Sequence, residues 1–339
     1  MAGLLAALAL SGSAEMAEAK TQVLEFSQLR GWGKDDLAPA LAAFAETCAR
    51  LPGPDWGEAC DAARSTDPDD ARSFFETQFR PVVVGNPKTA LFTGYYEPEL
   101  TASAVRTAKY RFPIYRRPPE MIPGRRWFSR AEIEDRHILQ GRGLEIAWLS
   151  NPVDVFFLQV QGSGRLLLTD GRVMRVGFAA KNGHPYRSIG KELKRRGVFG
   201  SHGASAARIR AWALKHPEEG REILRFNPSF VFFRVLDLSH DHGPLGALQV
   251  PLTAGRSLAV DPRFVPLGAP VWIDKHGRHP IRRLMVAQDT GTAIKGAQRA
   301  DIFYGSGAGA GRAASGVHDG GRIVVLMPVA RAVAMADGG

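Results

Sequence analysis

The chain has 339 residues, 45% of them hydrophobic and 23% charged, with a formal net charge of +10. That length suits two domains with separate cores, and the composition is that of an ordinary soluble globular protein. The positive balance predicts attraction to something anionic, but neither a zinc-finger spacing nor an RNP-type aromatic signature is legible, so nucleic acid is disfavoured.

The first fourteen residues, MAGLLAALALSGSA, are apolar and end on small residues. The stretch is too short to span a membrane and resembles the end of a secretory signal, although a basic n-region is missing and no lipid-accepting cysteine follows. Residues 35–50 place Leu37, Leu41, Phe44 and Cys48 at helical spacing. A second amphipathic helix runs from Asp67 through Phe74, Phe75 and Phe79. Cys48 and Cys60 are the two cysteines. In an exported protein they would close a short loop worth roughly 3 kcal/mol; in a cytosolic one they would be two buried thiols.

Residues 91–99, LFTGYYEPE, read as a strand ending in the pair Tyr95-Tyr96 and closed by Glu97 and Pro98. A basic, Pro-rich, mostly irregular stretch follows over 101–143, with one helix from Ser129 to about Ile138. From 144 to 178 the pattern predicts three strand segments, LEIAWLS, VFFLQVQ and RLLLTDGRVMRVGF, the last folded at Thr169-Asp170-Gly171. Ser188 caps a helix that stops at Gly197. Helices near 204–215 and 218–226 lead to a strand at 229–236. The last hundred residues read as short strands broken by Gly and Pro, the pattern of a compact barrel.

Several motifs carry no chemistry. GSGAGAG at 305–311 and QGSGRL at 161–166 fail the dinucleotide pattern, and the former reads as a flexible loop. His240-Asp241-His242 lacks partners at metal spacing. Asp289-Thr290-Gly291 matches one loop of an aspartic protease, whose chemistry needs two. The informative stretch is 284–304, LMVAQDTGTAIKGAQRADIFY. It delivers Asp289 and Asp301 from strand ends on either side of one loop, an arrangement suited to acid–base work. Glycoside cleavage runs on acids alone and needs one held protonated in an apolar setting. Asp301, beside Ala300 and Ile302-Phe303-Tyr304, has such neighbours; Asp289, between Gln288 and Thr290, looks more polar. Tyr95, Tyr96 and Tyr304 would suit sugar faces or core packing equally.

FTGYYEP at 92–98, VQGSGR at 160–165, AKNGHPYRSIGKEL from 180, NPSFVFFR at 227–234, AQDTGTAIKG…ADIFYGSG at 287–307 and GRIVVLMP at 321–328 occur in this order. Together they resemble the membrane-bound lytic transglycosylase A family, with a C-terminal 3D domain. The resemblance implies a mainly β fold with peripheral helices: a double-psi β-barrel over 20–105 and 237–332, and an inserted β-rich domain over 106–236. A glycan groove would lie between them, after a signal-like 1–19. It implies cleavage of the MurNAc–GlcNAc β-1,4 bond of peptidoglycan without water and without a cofactor or metal, leaving 1,6-anhydro-MurNAc. Asp301 matches the family's acid/base, Asp289 and Asp154 its supporting aspartates. Gln161, Gly162, Ser163, Lys181, Asn182, Tyr95 and Tyr96 are the implied glycan contacts. Murein strands are the expected partner, with other cell-wall enzymes as candidates, and the chain is expected to be a periplasmic monomer. The missing lipobox cysteine argues against an outer-membrane anchor. Thr292 departs from the family's second glycine in the loop after Asp289. A murein-binding protein without activity, or a hydrolase using water, are the alternative readings.

Overall fold

The computed structural model describes residues 21–51, 56–200, 204–239 and 242–337. The signal-like 1–19 and the His240-Asp241 part of the histidine-rich motif lie outside the described residues.

The chain opens with β1 (Thr21–Val23) and then α1 (Ala38–Cys48), α2 (Gly57–Ser65) and α3 (Ala71–Gln78). Pro39 sits in the first turn of α1, where its missing N–H does no harm, and Leu41, Phe44, Thr47 and Cys48 fall on its buried face. Phe44 is the hub of an aromatic cluster, 5.6 Å from the Phe79 ring and 6.3 Å from Trp56. Phe79 does not continue the helix as its spacing suggests; it starts β2 (Phe79–Val84) with extended backbone. Cys48 and Cys60 are joined in a disulfide that ties the end of α1 to α2. Cys48→Ser with Cys60→Ser should lower the stability of this unit by roughly 3 kcal/mol, checked by denaturant unfolding of wild type and variant.

After β3 (Leu91–Glu97) the chain builds a second sheet from β4 (Glu99–Ser103), β5 (Phe112–Tyr115), β6 (Glu145–Leu149), β7 (Ser163–Leu168), β8 (Val173–Lys181) and β9 (Val231–Leu236), in the order β5-β6-β4-β7-β8-β9. The hairpin between β7 and β8 turns where expected, with Gly171 at φ +87°. The helices of this unit are α4 (Arg130–Asp135), α5 (Pro152–Gln161), α6 (Ile189–Arg195), α7 (Ala206–Lys215) and α8 (Pro217–Phe226). α5 is a correction. The apolar run at 155–161 has the pattern of a strand, yet it is helical, because Asn151 accepts the Asp154 N–H as its cap, Pro152 fills the first turn and left-handed Gly162 ends it. A short apolar run does not distinguish a buried strand from a buried helix by periodicity; the capping residues do.

The chain returns through β10 (Ser257–Val260), β11 (Pro270–Lys275), β12 (Ile281–Thr290) and β13 (Arg299–Ser306), then α9 (Gly307–Ser315), β14 (His318–Asp319), β15 (Gly321–Pro328) and α10 (Val329–Asp337). The first sheet is ordered β1-β2-β15-β11-β12-β10-β13-β3-β14. Among the described residues this order has two ends, β1 and β14, so the pairing describes an open succession and does not itself draw a closed barrel. β10 runs parallel to β12 and antiparallel to β13. The core of this sheet is made of residues with no exposed surface, among them Trp272, Met285, Val286 and Val324.

The glycine-rich 305–311 is not a loose loop: its first two residues end β13 and the rest start α9. A Cβ at Gly311 would lie 2.8 Å from the Tyr96 ring, so the small residue permits close approach of helix and aromatic. The division into units also differs from the implied boundaries. Of the described residues, those up to 95, from 245 to 305 and from 317 on make one unit; those from 96 to 244 and from 306 to 316 make the other. β4 and α9 thus belong with the inserted sheet.

Candidate active site

Four neighbouring strands of the first sheet, in the order β12-β10-β13-β3, build the candidate site, with Asp289 on β12 and Asp301 on β13. Ala259 of β10 is paired with Asp289 on one side and with Asp301 on the other. Residues directly opposite each other on paired strands point to the same face, so both carboxylates leave one face of the sheet. Their backbones are two strand spacings apart, about 10 Å. Ala259, whose side chain is a single methyl group, is the residue between them across the strands. The opposite face is core, with Leu258, Val260, Ala300 and Ile302 buried.

β3 supplies the partners. Strand alternation buries Phe92 and turns Thr93 and Tyr95 to the acid face. The Thr93 hydroxyl donates to Asp301 Oδ1 and in turn accepts from Arg299 Nη2 at 2.7 Å. Tyr95 donates its OH to Asp289 Oδ2 at 3.0 Å, its ring 5.3 Å from that of Phe303. Asp289 Oδ1 accepts the N–H groups of Thr290 at 2.8 Å and Ala247 at 3.0 Å. Thr93, Arg299 and the Ala247 N–H are functional groups that the sequence alone does not single out. The first is findable in principle, because a period of two puts it on the face of Tyr95, opposite buried Phe92.

Both carboxyls are half-buried and held above the ordinary carboxylate range. Burial raises Asp301, against the opposing pull of the Thr93 hydrogen bond and the Arg299 charge. Burial pushes Asp289 up to about 6, opposed by its three hydrogen bonds and helped by the nearby Asp301 charge. Asp289 has the more hydrogen-bonded setting expected of it, with three donors where Asp301 has the Thr93 hydroxyl, yet desolvation outweighs them and its carboxyl is still raised. Tyr95 is raised well above 10 by burial, then by Asp289 and Asp301, and so remains a donor.

The sign of the pH effect follows. A raised pKa means that the folded chain holds the proton more tightly than the unfolded chain. The associated stability is present at low pH and declines as pH rises from the ordinary carboxylate value through about 6. Asp289→Asn keeps a neutral group there at every pH. It is expected to be roughly 2 kcal/mol more stable than wild type at pH 8 and nearly equal at pH 4, read from thermal unfolding at the two pH values.

The other expected residues lie in the second unit. Asp154, in the first turn of α5, accepts from Arg210 Nε at 2.7 Å and from Asn151 Nδ2 at 2.7 Å. Gln161 Oε1 faces the Tyr96 N–H at 3.5 Å, and Tyr96 feels the charges of Arg210 and Asp154. Asp154, Arg210, Tyr96 and Gln161 thus form one cluster, followed directly by Gly162 and Ser163 at the α5–β7 turn. Lys181 ends β8, half-buried. Asn182 is a correction: it is fully buried, donating to the carbonyls of Phe128 and Pro228 and accepting the Phe230 N–H. With no exposed surface and both amide protons committed, the side chain pins the β8 turn.

Two carboxyls lifted above their usual range on one sheet face are groups that can hold and release a proton near neutral pH, which is what acid–base chemistry requires. Comparisons with known proteins place the chain in a family. The family description of the MltA specific insert domain matches residues 91–234, and that of the 3D domain matches 256–327. Membrane-bound lytic murein transglycosylase A of Escherichia coli is 39% identical over 248 residues, 69% of this chain and 65% of that protein. The crystal structure of membrane-bound lytic murein transglycosylase from Agrobacterium tumefaciens matches with a TM-score of 0.85 at 34% identity, over 93% of this chain and 99% of that one. E. coli MltA with bound chitohexaose gives 0.70 at 33% identity, over 86% and 90%. The chain belongs to the membrane-bound lytic murein transglycosylase A family, with a 3D domain. Its match spans 65% of the length of the curated E. coli relative. Among the described residues no helix is long and apolar enough to cross a membrane.

Proposed function

We propose that this protein is a lytic transglycosylase that cleaves the MurNAc–GlcNAc β-1,4 bond of peptidoglycan and closes the MurNAc end as a 1,6-anhydro ring. The observation that carries the reading is the Asp301 carboxyl, half-exposed, raised above its ordinary range, and oriented by Thr93 and Arg299. Protonated, Asp301 gives its proton to the glycosidic oxygen as the C1–O4 bond breaks. The resulting carboxylate takes the proton of the C6 hydroxyl as O6 bonds to C1. One acid serves both steps because the nucleophile belongs to the substrate, and an intramolecular attack has a proximity advantage. No cofactor is needed for this sequence of steps.

Asp289, neutral or charged near pH 6, tunes the site beside Asp301. Tyr96, Gln161, Gly162, Ser163, Asp154 and Lys181 are the proposed glycan-contacting set of the second unit, and Tyr95 serves as the hydrogen-bond partner of Asp289. The net charge of +10 suits the carboxylates of murein stem peptides. The proposed setting is the periplasm and the proposed state a monomer, with other cell-wall enzymes as candidate partners.

A second reading, an inverting hydrolase, has one observation in its favour. Asp289, pushed up to about 6, shares a sheet face with Asp301 two strands away, and a second carboxyl across from the acid is what an inverting hydrolase uses to activate water. Mass spectrometry of muropeptides released from purified sacculi separates the readings. Anhydro ends, one water lighter than reducing ends, support the transglycosylase; reducing ends alone support the hydrolase; no release by the wild type leaves a binding protein.

A further inference from the structure

Asp289 faces the acid site because β12 carries one residue more than β10 opposite it. Ser257 and Leu258 pair with Val286 and Ala287, but Ala259, next in β10, pairs with Asp289. Gln288 is the extra residue, a bulge in a parallel pair. Side chains alternate along a strand, so without the bulge Ala259 would oppose Gln288 and Asp289 would turn toward the core.

The Gln288 side chain, with no exposed surface, is fastened at every polar atom. Its Oε1 accepts from Ser257 Oγ, and its Nε2 donates to Thr47 Oγ1 at 2.7 Å and to the Ala43 carbonyl at 3.2 Å, both on α1. Thr47 commits its own proton to the Ala43 carbonyl at 2.6 Å, which leaves it an acceptor for Gln288. On the backbone side, Leu248 N–H donates to the Gln288 carbonyl at 3.3 Å, and a Cβ on Gly246 would lie 2.5 Å from that oxygen. The loop so seated is the one that presents the Ala247 N–H to Asp289.

We infer that Gln288 is a positioning residue for the acid site: tied to Thr47 and Ser257, it holds the bulge that brings Asp289 into the row of Asp301. The inference rests on the proposed reading of Asp301 as the reacting acid and of Asp289 as the group that tunes it. Gln288 touches neither carboxylate, and its effect passes through the register of β12.

Thr47→Val removes the acceptor without touching β12, and Thr47→Ser restores it. Expected for Thr47→Val is a kcat about tenfold lower at a KM within about twofold of wild type, with Thr47→Ser close to wild type. Carbon-13 titration of the Asp289 carboxyl reads the same event without activity. The titratable groups facing it are Tyr95 from β3 and Asp301 from β13. Its midpoint should fall from about 6 toward the ordinary carboxylate value in Thr47→Val, as the side chain leaves its desolvated seat. An unchanged titration together with a loss of activity that merely tracks unfolding would overturn the inference. If the wild type releases no anhydro product, the proposed function fails, and the titration alone decides the positioning role. Should Thr47→Val not fold, Ser257→Ala removes the other tie, and the same fall in the Asp289 midpoint is expected of it; an unchanged midpoint there overturns the inference equally.

Discussion

Asp301→Asn is expected to lower the release of anhydro-muropeptides by on the order of 10³-fold at unchanged binding of murein. The amide has the shape of the acid and still accepts from Thr93, so the fold has no reason to move. It has no proton acidic enough for the glycosidic oxygen and no basicity toward the C6 hydroxyl, and both half-steps are lost together. The pH dependence follows from the same group. In the proposed reaction Asp301 starts protonated, and its raised pKa extends that state above the ordinary carboxylate range. Activity should therefore fall on the alkaline side, with a limb belonging jointly to Asp301 and its neighbour Asp289. Steady-state release of muropeptides by both proteins between pH 4 and 8 checks the size of the loss and the limb. A variant retaining more than about a tenth of wild-type rate would remove Asp301 from the chemistry.

Glu97→Ala is expected to destabilise the inserted unit by about 3–5 kcal/mol. Glu97 is 1% exposed; its Oε1 accepts from Arg175 Nη2 at 2.9 Å, and its Oε2 from Arg165 Nε at 2.9 Å and Ser306 Oγ at 2.6 Å. The Arg175 side chain is itself only 2% exposed, so removing the carboxylate leaves a guanidinium buried without its counter-charge. The two arginines also reach the carbonyls of Ser239 and His242. One carboxylate thus gathers three stretches next to points where the chain passes between units. Adding Arg175→Met to Glu97→Ala should recover a large part of the loss, because removing both charges is far cheaper than stranding one. Thermal unfolding of the single and double variants measures it; a double variant no better than the single would refute the ion-pair account.

Much of the local structure is legible in the sequence. The Ser188 cap, the turn at Thr169-Asp170-Gly171 and the buried face of α1 follow from capping chemistry and periodicity, and all appear. Where sequence and structure part, local signals are ambiguous or act at a longer range. The run at 155–161 has a helix cap three residues upstream of Asp154. The glycines of 305–311 suggest looseness, whereas Gly311 serves the approach of α9 to Tyr96. Glu97 reads as the polar end of a strand, because nothing within ten residues announces Arg165 or Arg175. Asn182 sits in a motif that resembles a binding loop, yet its three partners come from residues 128, 228 and 230.

By itself the sequence determined that two acids lie in neighbouring strands on either side of one glycine-containing loop, since that needs only two short apolar runs and a turn signal between them. Tertiary structure decided that the two point the same way. Their shared neighbour, Ala259, lies thirty residues before the first of them, and the Gln288 bulge that sets the row is held by a helix near the start of the chain. It also decided their acidity, because desolvation sums over every atom packed around a carboxyl, and those atoms come from segments that no local pattern relates.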